Sequence, residues 1–236
     1  MINKLAINGG KPTLKALKPY RSIGRNEIKA VNEVMRSGNL SSFFGSWRNG
    51  FFGGPKIQEL ENNWSKKFKT KFSVSFNSNT SGLYASMAAI GISPGDEVLL
   101  PCTTMSATAM APLIYGGIPI FVDIDEDTFC ISINDLKKKI TKKSKAVIAV
   151  NLFGHPAELG ELKKICNNHN LFLIEDNAQA PLATENNNLT GTIGDVGIFS
   201  LNYHKHIHCG EGGVAVTNNK DLAVRMQLVR NHAEAV

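Results

Sequence analysis

A chain of 236 residues that is 42% hydrophobic and only 19% charged is long and apolar enough for one sizeable core, and its composition excludes a disordered chain. The formal net charge of +6 comes from scattered lysines and short runs such as Lys137-Lys138-Lys139, with no basic stripe interleaved with aromatics; this argues against a nucleic-acid partner and suits an anionic small substrate. No apolar run reaches the length of a membrane span, MINKLAINGGKP has no apolar h-region, and Cys102, Cys130, Cys166 and Cys209 form no C-x-x-C pair, so a cytoplasmic protein with reduced thiols is expected.

Helical periodicity covers Arg25–Ser37 and Lys56–Phe68, the second with Trp64 and Phe68 four apart on one face. Between them the Gly/Phe-rich segment Ser41–Pro55 reads either as a mobile or substrate-contacting loop or as an ordinary irregular connection. A strand at Phe72–Phe76 precedes a helix at Thr80–Ile90, and the turn Pro94-Gly95-Asp96 introduces a strand at Glu97–Pro101. A helix at Ala107–Tyr115 stops at Gly116-Gly117; the strand IPIFVDID, a short helix at Leu136–Ile140 and the β-rich run AVIAVNLFG follow. A helix at Glu158–Asn168, a buried strand LFLIED (Leu171–Asp176), the strands GIFSL and GVAVT and a helix at Lys220–Asn231 complete the pattern.

Apolar strands alternating with helices predict an α/β fold with a mostly parallel sheet covered on both faces. Ligands in such sheets bind beyond the carboxyl ends of the strands. The residues of interest are therefore Asn77–Ser81, Pro101–Met105, Asp123–Asp127, Glu175–Gln179 and Ser200–His208. No P-loop, dinucleotide fingerprint or nucleophile elbow is present. Asp123, Asp125 and Asp127 open like a calcium loop, but Thr128 replaces its glycine and Asn134 its closing glutamate, so they read as a strand end and a polar turn.

In LNYHKHIHCGEGG (Leu201–Gly213), His204, His206 and His208 alternate and would share one face of a strand. Consecutive alternate positions rarely converge on one ion, and Cys209 lies on the other face, so no metal site is assigned. Lys205 is the sharper candidate: it follows a strand and precedes a glycine turn that lets the backbone approach a ligand. A lysine in such a pocket can form a Schiff base with an aldehyde cofactor. Pyridoxal phosphate (PLP) also needs an acid at its pyridine nitrogen, and Asp176, at the end of a buried strand, suits that role or a plain capping one. Glu175 points to the opposite face. Asn77–Ser81, between a strand and a helix, offers a phosphate site or a simple N-cap, and Ser200 adds a hydroxyl.

Taken in order, LAINGGKP, FFGGPKIQELE, PGDEVLLPCTT, IPIFVDIDEDTF, NLFGHPAEL, LIEDNAQA, FSLNYHKHIHCGEGGVAVT and LVRNHAE resemble the DegT/StrS family of PLP-dependent sugar-nucleotide aminotransferases along nearly the whole chain. The resemblance implies the three-layer α/β/α large domain of fold type I over residues 26–236, after an N-terminal segment at 1–25 and without the family's C-terminal small domain. It implies that Lys205 forms the Schiff base and carries the proton, that Asp176 pairs with the pyridine nitrogen, and that Gln179 lies near the ring oxygen. Ser78, Asn79, Thr80 and Ser200 match phosphate-side positions, and Met105 stands where relatives place a ring over the cofactor. Asn79 replaces a small residue and Asn202 a histidine of many relatives.

The implied reaction moves an amino group, usually from glutamate, to a nucleotide-linked keto-sugar for polysaccharides or glycans, in a homodimer. The alternatives are a truncated relative that binds cofactor without turnover and a PLP-dependent sugar dehydratase. The dehydratase branch carries histidine at the lysine position, against which Lys205 argues.

Overall fold

The computed structural model describes residues 4–14 and 21–234; the rest of the expected N-terminal segment and the last two residues lie outside the described residues. Two compact units divide the chain, Met1–Ser41 and Ser42–Val236. The first holds α1 (Arg25–Ser37), at the bounds its periodicity predicts. Glu27 Oε2 accepts the Gly24 N–H at 2.7 Å, and Gly38 ends the helix at φ +69°, a left-handed conformation that favours glycine.

The second unit runs through α2 (Pro55–Phe68), β1 (Phe72–Phe76), α3 (Asn79–Ala89), β2 (Glu97–Pro101), α4 (Ser106–Leu113), β3 (Ile118–Val122), α5 (Ile133–Lys139), β4 (Ser144–Val150), α6 (Leu159–His169) and β5 (Phe172–Asp176). The small hairpin β6 (Thr184–Glu185) and β7 (Asn188–Leu189) precedes β8 (Val196–Ser200), β9 (Gly213–Thr217) and α7 (Lys220–Arg230). The expected strand IPIFVDID stops at Val122, and Ile124 makes only an isolated bridge to Ile131. Asp125 bends the chain there, its Oδ1 accepting the N–H groups of Asp127 and Thr128 and the Thr128 hydroxyl.

The seven-stranded sheet has the order β1-β9-β8-β5-β4-β2-β3. Pairing is parallel from β3 through β2, β4 and β5 to β8, and antiparallel on both sides of β9. Side chains alternate between its faces. Val98, Leu100, Ile148, Ile174 and Ile198 share one core with Leu83 and Met87 of α3, Ala111 of α4 and Met226 of α7. Leu99, Val147 and Leu173 pack on the other side with Leu136 of α5 and Leu159 and Leu162 of α6. Trp64 and Phe68 of α2 share one face, as their spacing predicts, and there they stack at 5.4 Å and close on Phe199. Each fully buried Leu or Ile contributes roughly 2–3 kcal/mol, so the three-layer α/β/α arrangement rests on both faces of the sheet.

The aromatic segment ahead of α2 is anchored rather than loose. Phe51 is fully buried, its ring lies 4.4 Å from that of Trp47, and its carbonyl accepts Asn231 Nδ2 at 2.7 Å. All four cysteines are free thiols.

Candidate active site

Parallel strands deliver their carboxyl ends to one edge of a sheet, and there a cavity of about 380 Å³ opens. It is lined by Ser78, Asn79 and Thr80 after β1, by Thr104, Met105 and Ala107 after β2, by Val150 and Leu152 after β4, and by Asp176, Ala178 and Gln179 after β5. Ser200, Asn202, His204 and Lys205 after β8, with Glu211, close it. All eight residues that the sequence marks as catalytic or cofactor-binding thus border one cavity.

Asp176 ends β5 on the same face as Ile174 and is 4% exposed. Burial pushes its carboxyl above the usual carboxylate range. Three hydrogen bonds and the charge of Lys205 act the other way. Ala178 N–H donates to Oδ1 at 3.1 Å, Asn79 Nδ2 to Oδ1 at 3.3 Å and Thr108 Oγ1 to Oδ2 at 3.2 Å. Thr108 in turn accepts from Thr104 Oγ1 at 2.8 Å. Thr104 falls in a loop that follows a strand, but nothing in the sequence marks Thr108, because SATAMAPL reads as an ordinary apolar helix.

The start of α3 faces the same cavity. Ser78 is its N-cap, and its Oγ accepts the Ser81 N–H at 3.0 Å, so the plain capping role is one it does fill. Helix geometry leaves the N–H groups of Asn79 and Thr80 without an intrahelical partner and puts the positive end of the dipole there. Gly213 is packed against this turn: a Cβ on it would lie 2.4 Å from the Ser78 carbonyl oxygen and 2.7 Å from Asn79 N. In the GEGG turn, then, the close approach of Gly213 is to protein backbone at the head of α3.

Lys205 is half-buried in the loop between β8 and β9. The loop is a run of turns, so the alternation that would put His204, His206 and His208 on one strand face does not apply. His204 lines the cavity, while the Tyr203 ring packs edge-on against the rings of His204 and His208, each 5.4 Å away. Among the described residues no group of three or more His, Cys, Asp or Glu side chains is placed to hold a metal ion. Asn202 organises the loop: its Nδ2 donates to Glu211 Oε1 at 2.6 Å and its Oδ1 accepts the His204 N–H at 3.1 Å. Ser200 Oγ accepts the Asn202 N–H at 3.2 Å, and Gln179 Oε1 accepts the Phe153 N–H at 2.8 Å, which leaves the Gln179 amide nitrogen to donate. Met105 borders the cavity but is 73% exposed.

A larger cavity of about 680 Å³ lies on the far side of the α3 start, between Ile57, Leu60, Phe76, Tyr84, Tyr115 and Val229. Among the described residues its one cation is Arg230, already paired to Glu61 at 2.6 Å. The smaller cavity holds the groups with chemistry: an amine, a buried acid and an open helix start. That set fits the aldehyde, ring nitrogen and phosphate of PLP. Asn79 Oδ1 is also buried there with no hydrogen-bond partner among the described residues, a defect that a bound ligand can repair.

Residues 21–236 match the DegT/DnrJ/EryC1/StrS aminotransferase family. GDP-perosamine synthase of Escherichia coli O157:H7 is 36% identical over 210 residues, covering 89% of this chain and 55% of that protein. The structure of an aminotransferase from Psychrobacter cryohalolentis superposes with a TM-score of 0.80 at 29% identity, over 89% of this chain and 51% of that one. A GDP-4-keto-6-deoxymannose-3-dehydratase with a trapped PLP-glutamate geminal diamine gives 0.79 at 31% identity, over 88% and 52%. The chain spans about half the length of the relatives it matches.

Proposed function

The chain belongs to the DegT/DnrJ/EryC1/StrS aminotransferase family, and from that premise we propose that it is the PLP-binding part of an enzyme that transfers an amino group from glutamate to a nucleotide-linked keto-sugar, in polysaccharide or glycan biosynthesis. The reading extends to a cytoplasmic homodimer. The observation that carries it is the meeting of Lys205 and Asp176 on one cavity at the start of α3.

When bound, PLP supplies an aldehyde that an amine captures and a ring that withdraws electron density. Lys205 Nζ would be the amine that meets that aldehyde, and its free amine would serve as the proton carrier. Asp176 would accept the ring N–H from a buried position, where the charge interaction is stronger than in solvent. The N–H groups of Asn79 and Thr80, with the hydroxyls of Ser78, Thr80 and Ser200, would hold the phosphate. Gln179 Nε2 would donate to the ring oxygen, and Met105 would pack toward the ring face.

The likeness to a 3-dehydratase supports a second reading, sugar deoxygenation. Lys205 opposes it, because that branch carries histidine at this position. The test is a titration of the purified protein with PLP, followed by visible absorbance. A band that Lys205→Ala abolishes is expected, and glutamate should then remove it as the aminated cofactor forms. Absence of any Lys205-dependent band overturns the PLP reading. A band that persists in glutamate points to a relative that binds cofactor without turnover.

A further inference from the structure

Asp176 is met by donors from three separate elements: the Ala178 backbone, Asn79 at the head of α3 and Thr108 inside α4. A helical threonine ordinarily turns its hydroxyl to a carbonyl one turn back. Thr108, fully buried, donates to Asp176 Oδ2 instead, and Thr104 Oγ1 donates to Thr108. The hydroxyl protons therefore run in one direction, from Thr104 through Thr108 to the carboxylate. Asn79 shows a similar commitment. Its Nδ2 serves Asp176 Oδ1 although its Oδ1 is left buried and unpartnered. Turning the amide over would set that oxygen against the carboxylate.

Resting on the PLP reading above, we infer that Thr104, Thr108 and Asn79 are positioning residues that hold the Asp176 carboxylate ionised and less basic than a bound pyridine nitrogen, so that the shared proton stays on the ring. A proton between two bases resides on the stronger one. Each donor to the carboxylate weakens it as a base, and a donor that is itself hydrogen-bonded does so more strongly in a dry site. Lys205 acts in the same direction, but its proton is the one the chemistry moves. The threonines and Asn79 give the same support without titrating.

Nitrogen-15-labelled PLP tests this directly, since the NMR shift of the ring nitrogen reports whether it is protonated. The wild-type protein should show the protonated ring. Thr108→Val, which keeps the shape and loses the donor, should move the signal toward neutral pyridine and weaken PLP binding about tenfold. Thr104→Val should move it the same way by less, and it perturbs a half-buried site if the first variant folds poorly. Thr108→Ser should restore both readouts. A folded Thr108→Val with an unchanged nitrogen signal overturns the inference and leaves the PLP reading standing. So does equal loss in Thr108→Ser, which would assign the effect to packing. A wild-type protein that binds no PLP overturns the reading and the inference together.

Discussion

The two faces of β5 treat neighbouring carboxylates in opposite ways. Glu175 and Asp176 are consecutive and almost wholly buried, at 0% and 4% exposure, and burial pushes both carboxyls up. Glu175, on the Leu173 face, accepts three backbone N–H groups, from Gly191 at 2.5 Å, Ile193 at 2.8 Å and Gly194 at 2.6 Å. These amides belong to one tight turn. Gly191 has φ +86°, and a Cβ there would lie 2.4 Å from the Phe199 ring. Asp176, on the other face, is served mainly by side chains of separate helices and borders an open cavity. Two buried acids can thus be told apart by what holds them. One is closed off by three backbone N–H groups of a single turn, and it ties β5 to the start of β8. The other is held by groups that still leave it a face toward a ligand.

The contrast breaks most visibly at Asp176. Asp176→Asn keeps the shape and should slow the glutamate half-reaction by about two to three powers of ten, the scale of removing one preorganised electrostatic partner. Its cost in thermal midpoint should be smaller than that of Glu175→Gln, because the Thr108 hydroxyl that faces Oδ2 can turn to accept from the new amide, as backbone N–H groups cannot. A variant that still reacts with glutamate at the wild-type rate removes Asp176 from its role. Glu175→Gln should do the reverse. An amide NH2 set among N–H donors costs about 2–4 kcal/mol, read from denaturant unfolding, with PLP affinity of the folded fraction unchanged. Loss of PLP binding without loss of stability would dissolve the distinction between the faces.

The smallest effect is on pH dependence. A carboxyl whose folded pKa is raised contributes stability that is fully present below its unfolded pKa and lost as pH rises through the folded value. The PLP-free protein should therefore lose stability across that window, and Glu175→Gln should flatten the loss. In the proposed role of Asp176, bound PLP would set a ring cation beside that carboxylate and not beside Glu175, so the stabilisation it confers should grow as pH rises through the Asp176 value and not in Asp176→Asn. Thermal midpoints against pH, with and without PLP, measure both.

Much of the fold is legible in the order of the residues. The strands at Phe72–Phe76 and Glu97–Pro101 and the helix at Arg25–Ser37 fall at their predicted bounds, because apolar periodicity is a local property of the chain. Glu175 and Asp176 face opposite ways because a strand alternates. The hairpin β6–β7 leaves no such mark, since two-residue strands are too short to show a period. The three histidines do not share a strand face, since alternation along a sequence carries meaning only where the chain is extended.

Asn202 marks the limit from the other side. In the sequence it is only a departure from relatives, yet it ties Glu211 to the loop that carries Lys205. The order of residues dictates which reactive groups exist and that they follow strands. It takes the packed fold to run β9 antiparallel between β1 and β8, bringing Gly213 onto the start of α3. Packing also turns the hydroxyl of Thr108, 68 residues before Asp176, to that acid. Which partner a buried polar group meets depends on how helices cross the sheet, a long-range outcome of packing that no local pattern encodes.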